Sequence, residues 1–460
     1  MHNEFKNKKI TVMGLGLFGG GVGIAQFLAR QGAHVTVTDL RNADELSSSI
    51  KQLEDLPISY NLGEHNEADF VDTDMIIVNP AVPKDSKFLN VARNNHIPID
   101  TEMNIFFKLC PAPIIGITGS NGKSTTTTLI GKMLQQTQRT TWIGGNIGKS
   151  LLTHIEEIKP SDIVVVELSS FQLEELINIK KSPHISILTN ISPNHLDRYP
   201  NMDAYIQAKK GIILYQKPED YTILNYDDSE LRKWEKECKG RVLWYSAKNT
   251  LTNGAFVKSN HIVLSVDGQS ITVPCLSNAK IPGVHNLQNI LAASCAAYLV
   301  GARASHIEQI VTTFSGLEHR LEFIREVKGV RYYNDSKATT PESAIAAITA
   351  FPVPVILIAG GYDKGSNFEE FARVCARHTK TIILIGKTAK KIKELILQNK
   401  GTQGIPSIFI SNTFHEAFQQ AEAAAKSGET VLLSPACASY DMFCNYEERG
   451  RQFKNMVQAL

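Results

Sequence analysis

The sequence predicts an α/β protein of three domains, and three observations carry that expectation. Its 460 residues exceed what one hydrophobic core usually organises, and by length alone point to roughly three domains. Short apolar, β-branched runs alternate with helix-compatible segments along most of the chain, the pattern of parallel strands joined by helical crossovers. A stiff Cys110-Pro111-Ala112-Pro113 connector and a second break at 314–320 interrupt that alternation. The expected bounds are 1–109, 110–316 and 317–460.

Composition narrows the class. A formal net charge of +2 gives no electrostatic reason to expect nucleic acid or an acidic membrane as partner. Seven cysteines (Cys110, Cys238, Cys275, Cys295, Cys375, Cys437 and Cys444) are scattered without a C-x-x-C pair, as reduced, packed thiols are. Neither a secretory signal nor a membrane span is visible, so a cytoplasmic enzyme is expected.

In the first domain β-like runs fall at 10–13, 34–38 and 75–78, with a helical segment at 24–30. Gly14-Leu15-Gly16-Leu17-Phe18-Gly19 closes the first run and opens the helix, and Asp39 ends the second run at the distance of a ribose contact. Alone, this turn fits any nucleotide with a pyrophosphate, nicotinamide dinucleotides included, and it also fits a purely structural tight turn.

The second domain opens on an apolar run at 114–118, followed by Gly119-Ser120-Asn121-Gly122-Lys123-Ser124-Thr125 and a helix. Glycines let backbone N–H groups turn towards an anion, Lys123 adds positive charge, and Ser124 is placed to ligate Mg²⁺ at a helix N-terminus. The generic G-x-x-x-x-G-K-[ST] pattern nevertheless fails, because Ile117 stands where it asks for Gly. Val164-Val165-Val166-Glu167 ends an apolar run in a carboxylate, the position from which Mg²⁺ is held beside a phosphate loop; a surface glutamate is the plain alternative. His195 follows the run at 185–189, and so belongs to the ligand-binding end of a parallel sheet, although loop histidines are commonly just solvated. Lys209 and Lys210 read locally as a solvated helix face. A hairpin is expected at Asp267-Gly268.

The third domain shows runs at 330–333, 355–359, 381–385, 408–410 and 430–433. Three of them end in polar loops: Asn334-Asp335-Ser336-Lys337-Ala338-Thr339-Thr340-Pro341, Gly360-Gly361-Tyr362-Asp363-Lys364-Gly365, and Ser434-Pro435-Ala436-Cys437-Ala438-Ser439-Tyr440-Asp441. Thr340 and Pro341 are a helix N-cap and first position. Capping does not account for Asp335 beside Lys337. Lysines and a serine at sheet edges suit a small dicarboxylate, and turn chemistry is the alternative.

Taken together these segments resemble the Mur ligases, ATP-dependent amide-forming enzymes of peptidoglycan synthesis, over the whole chain. The family's loop, G-x-T-G-[ST]-N-G-K-[ST], is the form found at Gly116–Ser124. The stretches Glu167-Leu168-Ser169-Ser170-Phe171-Gln172-Leu173, Asp335-Ser336-Lys337-Ala338-Thr339 and Leu433-Ser434-Pro435-Ala436-Cys437-Ala438-Ser439 look most like the member that adds D-glutamate. The resemblance implies a Rossmann-like first domain, a central ATPase-like domain with a phosphate loop and a mixed sheet, and a Rossmann-like third domain. It implies a monomer using ATP and Mg²⁺ at two sites, with UDP-N-acetylmuramoyl-L-alanine and D-glutamate as partners. Leu17, Phe18, Asp39 and Arg41 would then line a uridine diphosphate site. Gly119, Asn121, Gly122, Lys123, Ser124, Thr125, Asn286, Asn289, His319, Arg320 and Asp335 would contact ATP. Ser124, Glu167 and His195 would hold metal, Asn146 and His195 would face the alanyl end, and Lys209 would carry a carbamate towards a second Mg²⁺. Lys123, Lys209, His195 and Lys337 would be catalytic. Lys337, Thr339, Lys364, Ser439 and Tyr446 would receive the amino acid.

This chain departs from the family at four places: Phe18 for a hydroxyl residue, Asn79-Pro80-Ala81 for Ser-Pro-Gly, Asn194 for Asp, and Tyr446 for Phe. Two rival classes remain. A nicotinamide dehydrogenase leaves the phosphate loop and Glu167 idle, and a nucleotide switch binds ATP without ligation. Within the family, another amino acid such as L-glutamate is the alternative.

Overall fold

The computed structural model describes residues 4–16, 19–80, 82–147, 150–193, 198–274, 276–281, 283–363, 366–399 and 406–460. The chain divides into two compact units, one made of 1–278 and 284–312, the other of 279–283 and 313–460.

The first unit carries two sheets. The first contains β1 (Lys9–Met13), β2 (His34–Asp39), β3 (Ile58–Leu62), β4 (Met75–Val78) and β5 (Ile99–Asp100) in the order β3-β2-β1-β4-β5, with every neighbouring pair parallel. The second contains β6 (Ile114–Thr118), β7 (Thr141–Gly145), β8 (Ile163–Glu167), β9 (Ile185–Leu188), β10 (Tyr221–Asn225), β11 (Arg241–Ser246), β12 (Gly254–Lys258), β13 (His261–Val266) and β14 (Gln269–Val273), in the order β14-β13-β12-β11-β10-β9-β6-β8-β7. Strands β6 and β8 are buried along their whole length, which is why their sequences read as unbroken apolar runs rather than alternating ones. The edge from β12 to β14 is antiparallel. Its last turn is the expected Asp267-Gly268 hairpin, with φ of 49° and 79° at the two residues, the positive values a two-residue hairpin requires.

One apolar cluster runs through both sheets of this unit. It takes in Ile10 and Val37, then Phe106 of the helix Glu102–Leu109, and then Val164 and Leu188. Shared burial of this kind makes the two sheets one compact body, since separating them would return those side chains to water.

The second unit is built on β15 (Glu322–Val327), β16 (Val330–Asn334), β17 (Val355–Gly360), β18 (Thr379–Ile385), β19 (Ser407–Ile410) and β20 (Thr430–Leu433), ordered β15-β16-β20-β17-β18-β19. All neighbours are parallel except β15 and β16. Apolar clusters cover both faces, one around Leu357 and Phe371, the other around Ile358 and Phe453. Because β20 lies between β16 and β17, the loops that follow all three strands open at one end of the sheet, where the chain direction of the crossovers reverses. Thr340 caps the helix Pro341–Thr349 through the Ser343 N–H, as its sequence predicts.

Candidate functional site

The parallel order β9-β6-β8 brings three strand ends together in the first unit. The loop after β6 is 119–122, and it opens the helix Lys123–Gln135. Two glycines are there because no side chain fits. A Cβ at Gly119 would lie 1.8 Å from Thr189 Oγ1, and one at Gly122, whose φ is +86°, would lie 2.3 Å from Asn289 Oδ1. Thr126 Oγ1 donates to that same Asn289 oxygen, and the Asn289 amide reaches Asn286 Oδ1. The expected pair of asparagines is thereby seated against the phosphate loop.

Side chains and backbone lace this loop to the one after β9. Ser120 N–H donates to the Asn190 carbonyl and Asn121 N–H to Asn190 Oδ1, while Ser120 Oγ donates to the Ser192 carbonyl and accepts from the Ser192 N–H. Tyr205, fully buried, places its hydroxyl 3.0 Å from Ser120 Oγ. His195, next along that loop, lies outside the described residues, as do Leu17, Phe18 and Lys364.

Three charged side chains face the loop. Lys123 Nζ donates to the carbonyls of Gly119 and Ser120. Lys209, only 2% exposed, donates to Gly119 O at 2.9 Å and to Thr118 Oγ1 at 3.3 Å, with its ammonium over the Tyr205 ring. Desolvation first, and then the nearby Lys123 charge, hold its amine well below the usual lysine range, against a smaller pull from Glu167. Glu167, at the end of β8 and 2% exposed, accepts from the Asn146 side-chain amide through Oε1, while its Oε2 is buried with no hydrogen-bond partner among the described residues. A carboxylate oxygen buried in that way lacks the compensation that buried charge requires, and a cation would supply it. The residues Ser124, Thr125, Asn146, Glu167 and Lys209 are thus brought to one end of one sheet. By composition Lys209 reads as a solvated helix face, whereas the packing of the helix Met202–Lys210 buries it and carries its ammonium to the Gly119 carbonyl.

At the first sheet, Asp39 is 7% exposed and spends both oxygens on the backbone, accepting from Gly16 N–H at 3.1 Å and Arg41 N–H at 3.0 Å. It therefore shapes the glycine turn and the following loop, and Arg41 is left exposed to solvent.

In the second unit Asp335 is 4% exposed. Its carboxylate accepts from Leu321 N–H and Ser434 Oγ, and desolvation, outweighing those bonds and the charges of Arg320 and Arg449, raises it to about 7. His319, buried, shares a hydrogen bond with Asn334, and desolvation lowers its imidazole. Lys337 has its ammonium 5.8 Å from the centre of the Tyr446 ring, and Ser439 is buried on the loop after β20. Glu318, His319 and Glu322 form a cluster of metal-type ligands, but the Lys454 ammonium already pairs with both carboxylates.

Residues 8–100 match the family described as Mur ligase MurD-like, N-terminal domain, 117–297 the Mur ligase middle domain, and 319–437 the Mur ligase, glutamate ligase domain. The UDP-N-acetylmuramoylalanine–D-glutamate ligase of Thermoanaerobacter pseudethanolicus is 41% identical over 457 residues, covering 99% of both chains. The chain belongs to the Mur ligase family. Similar relatives with the same name come from Symbiobacterium thermophilum, 41% identical with 98% of each chain covered, and from a Roseiflexus species, 42% identical with 99% of each covered. Among solved structures, UDP-N-acetylmuramate–alanine ligase MurC from Thermotoga maritima aligns with a TM-score of 0.65 at 17% identity, covering 98% of this chain and 100% of that one. MurF ligase from Thermotoga maritima, in complex with ADP, aligns with a TM-score of 0.59 at 17% identity, covering 99% and 96%. This Mur ligase accordingly has the family's three-domain α/β fold with mixed sheets.

One residue of this Mur ligase escaped sequence reasoning. Arg449, 0% exposed in the helix Tyr446–Gln458, donates to Ser336 Oγ, the Ser336 carbonyl and the Cys437 carbonyl, and so ties the loop after β16 to the loop after β20. Desolvation lowers its guanidinium to about 10. Spacing alone carries no signal for it, since an arginine in a helix rich in charge reads as surface. No helix among the described residues is long and apolar enough to cross a membrane.

Proposed function

We propose that this chain joins D-glutamate to UDP-N-acetylmuramoyl-L-alanine at the expense of ATP, in the cytoplasmic synthesis of peptidoglycan precursor. Full-length relatives of that name support the reading. The single observation that carries it is the loop whose two glycines, Gly119 and Gly122, admit no Cβ, standing beside the buried Glu167 Oε2, which has no hydrogen-bond partner among the described residues. The residues present fit a divalent cation: Ser124 and Glu167, with His195 and a carbamate on Lys209, would hold Mg²⁺, which when bound neutralises charge on phosphate oxygens.

The chain's own groups do the rest. The backbone N–H groups of 122–125, at the start of the helix Lys123–Gln135, and the Lys123 ammonium offset the charge of the transferring phosphoryl group. Asn286, Asn289, His319, Arg320 and Asp335 contact the nucleotide, Leu17, Phe18, Asp39 and Arg41 the uridine diphosphate, and Asn146 the alanyl end. Lys337, Thr339, Lys364, Ser439 and Tyr446 receive the incoming amino acid and orient its amine. An alanine carboxylate is a poor acyl donor because loss of oxide is unfavourable. Its oxygen therefore attacks the γ-phosphorus, ADP leaves, and the resulting acyl phosphate offers phosphate as leaving group when the glutamate amine, having lost its proton, attacks the acyl carbon. Positioning and charge neutralisation are what such a sequence asks of a protein. We place the domain limits at 1–109, 110–316 and 317–460 and read the enzyme as a monomer without nucleic-acid or membrane partners.

Phosphate release from UDP-N-acetylmuramoyl-L-alanine and ATP, assayed with a panel of D- and L-amino acids, tests this. D-Glutamate should give the largest rate. Preference for L-glutamate would move the enzyme to another branch of the family, and no release with any amino acid would refute ligation.

A further inference from the structure

Ser150 lies where three segments of the first unit meet. Its hydroxyl donates to Glu102 Oε1 at 2.6 Å and accepts from the Leu152 N–H, so it closes the short turn Leu152–His154 while bonding to the first turn of the helix Glu102–Leu109. From the third side the helix Gly20–Arg30 packs so closely that a Cβ on Gly23 would lie 2.3 Å from Ser150 Cβ and 2.6 Å from its Oγ. That helix is the one launched by the Gly14–Gly19 turn. Asn146 and Ser150 are accordingly each held in place. The Asn146 amide donates to Glu167 Oε1 and its N–H to the Glu167 carbonyl; Ser150 is held by Glu102.

A substrate with UDP at one end and an alanyl carboxylate at the other has a fixed reach. The distance between the glycine turn and Asn146 must match that reach, and the junction at Ser150 is where the helix bearing the turn meets the loop bearing Asn146. Resting on the function given above, we propose that Glu102 and Ser150 are positioning residues that set this distance, so that one substrate molecule is gripped at both ends. Neither residue is assigned a contact with substrate; each acts through the loop it holds. Desolvation raises the Glu102 carboxyl, which favours the neutral form that glutamine imitates.

The test is equilibrium binding of UDP and of UDP-N-acetylmuramoyl-L-alanine to the intact protein, by calorimetry. The wild type should bind the longer ligand at least about tenfold more tightly, the gain expected when a few further polar contacts are made. Ser150→Ala and Glu102→Ala should each erase most of that gain while UDP affinity stays within about twofold, which also reports that the first sheet and its turn remain folded. Glu102→Gln, which keeps an acceptor oxygen for the hydroxyl, should retain the gain. A gain that persists in both alanine variants, a parallel loss of UDP affinity, or a glutamine variant as impaired as the alanine one would overturn the proposal. A wild type that shows no gain would overturn the functional reading beneath it as well.

Discussion

Asp335 offers the sharpest test of how this enzyme trades stability for a site. Its carboxyl is raised from the ordinary 3.8 to about 7, chiefly by desolvation. An acid raised on folding binds its proton more tightly in the native state. Between those two values the folded protein therefore holds more protons than the unfolded chain, and stability falls as pH climbs through the window. Above about 7 the loss is complete. Roughly two pH units of that window lie above pH 5, and each costs about 1.4 kcal/mol, so folding should lose about 3 kcal/mol between pH 5 and pH 8 through this group alone. Asparagine removes the titration and keeps the shape: its carbonyl accepts from Leu321 N–H, and its amide donates to Ser434 Oγ in place of the bond that the serine now makes. Asp335→Asn should consequently gain on the wild type by about 3 kcal/mol on going from pH 5 to pH 8, or several degrees in the transition that unfolds the second unit. Thermal scans at the two pH values measure it. If Asp335 contacts the nucleotide as proposed, ATP-dependent ligation by the same variant should fall as well. An asparagine variant whose stability relative to wild type is the same at pH 5 and pH 8 would refute the reasoning, since it would mean that Asp335 folds without resisting ionisation.

Three further outcomes are expected. Lys123→Ala should lower turnover by at least about 10²-fold, the scale for losing one positioned charge stabiliser; near-normal ligation would remove the loop from catalysis. Arg449→Met should leave the second unit folded but less stable by about 3 kcal/mol, since the buried carbonyls of Ser336 and Cys437 lose their donor. Its KM for D-glutamate should nevertheless rise by about tenfold or more as the two loops lose their tie, with an unchanged KM counting against that tie. Incubation with ¹³C-labelled bicarbonate should give a carbamate carbon signal that Lys209→Arg lacks, and a spectrum identical in both proteins would show the amine unmodified.

Much of this architecture could be read from the chain because buried parallel strands leave a simple trace. The runs ending at Thr118, Glu167 and Leu433 are apolar throughout, since both faces are covered, and the residues that follow them fall at one edge of a sheet by topology alone. Among the strands that left no such trace are half-covered ones: β3, whose residues are mostly half-buried, and β15, an antiparallel edge strand with three charged residues. The site divides in the same way. Gly119, Gly122, Lys123 and Glu167 are adjacent to strand ends, whereas Lys209, Tyr205 and Arg449 lie on helices whose packing, rather than their composition, buries them. Asp39 shows the limit from the other side. Its position after β2 is the one a ribose contact demands, yet both oxygens serve the backbone of the turn. Spacing located the residue and left its bonding partners to the fold.

The least comfortable feature of the first unit is that Lys123 and Lys209 both donate to the carbonyl of Gly119, two ammonium groups converging on one oxygen. Repulsion between them is one of the forces that lower the Lys209 amine, and burial is the larger. Each acts in the same direction, towards an unprotonated nitrogen, and an unprotonated amine is what reacts with CO₂ to give a carbamate. The product would carry a negative charge where a positive one had been destabilised, turning the repulsion from Lys123 into attraction. Glu167, with one buried oxygen unpartnered among the described residues, would then be one of two anions beside the phosphate loop. Two anions and a triphosphate repel unless cations intervene. A requirement for metal would then follow from the burial of Lys209 and Glu167, and neutralising either side chain should weaken metal dependence along with turnover.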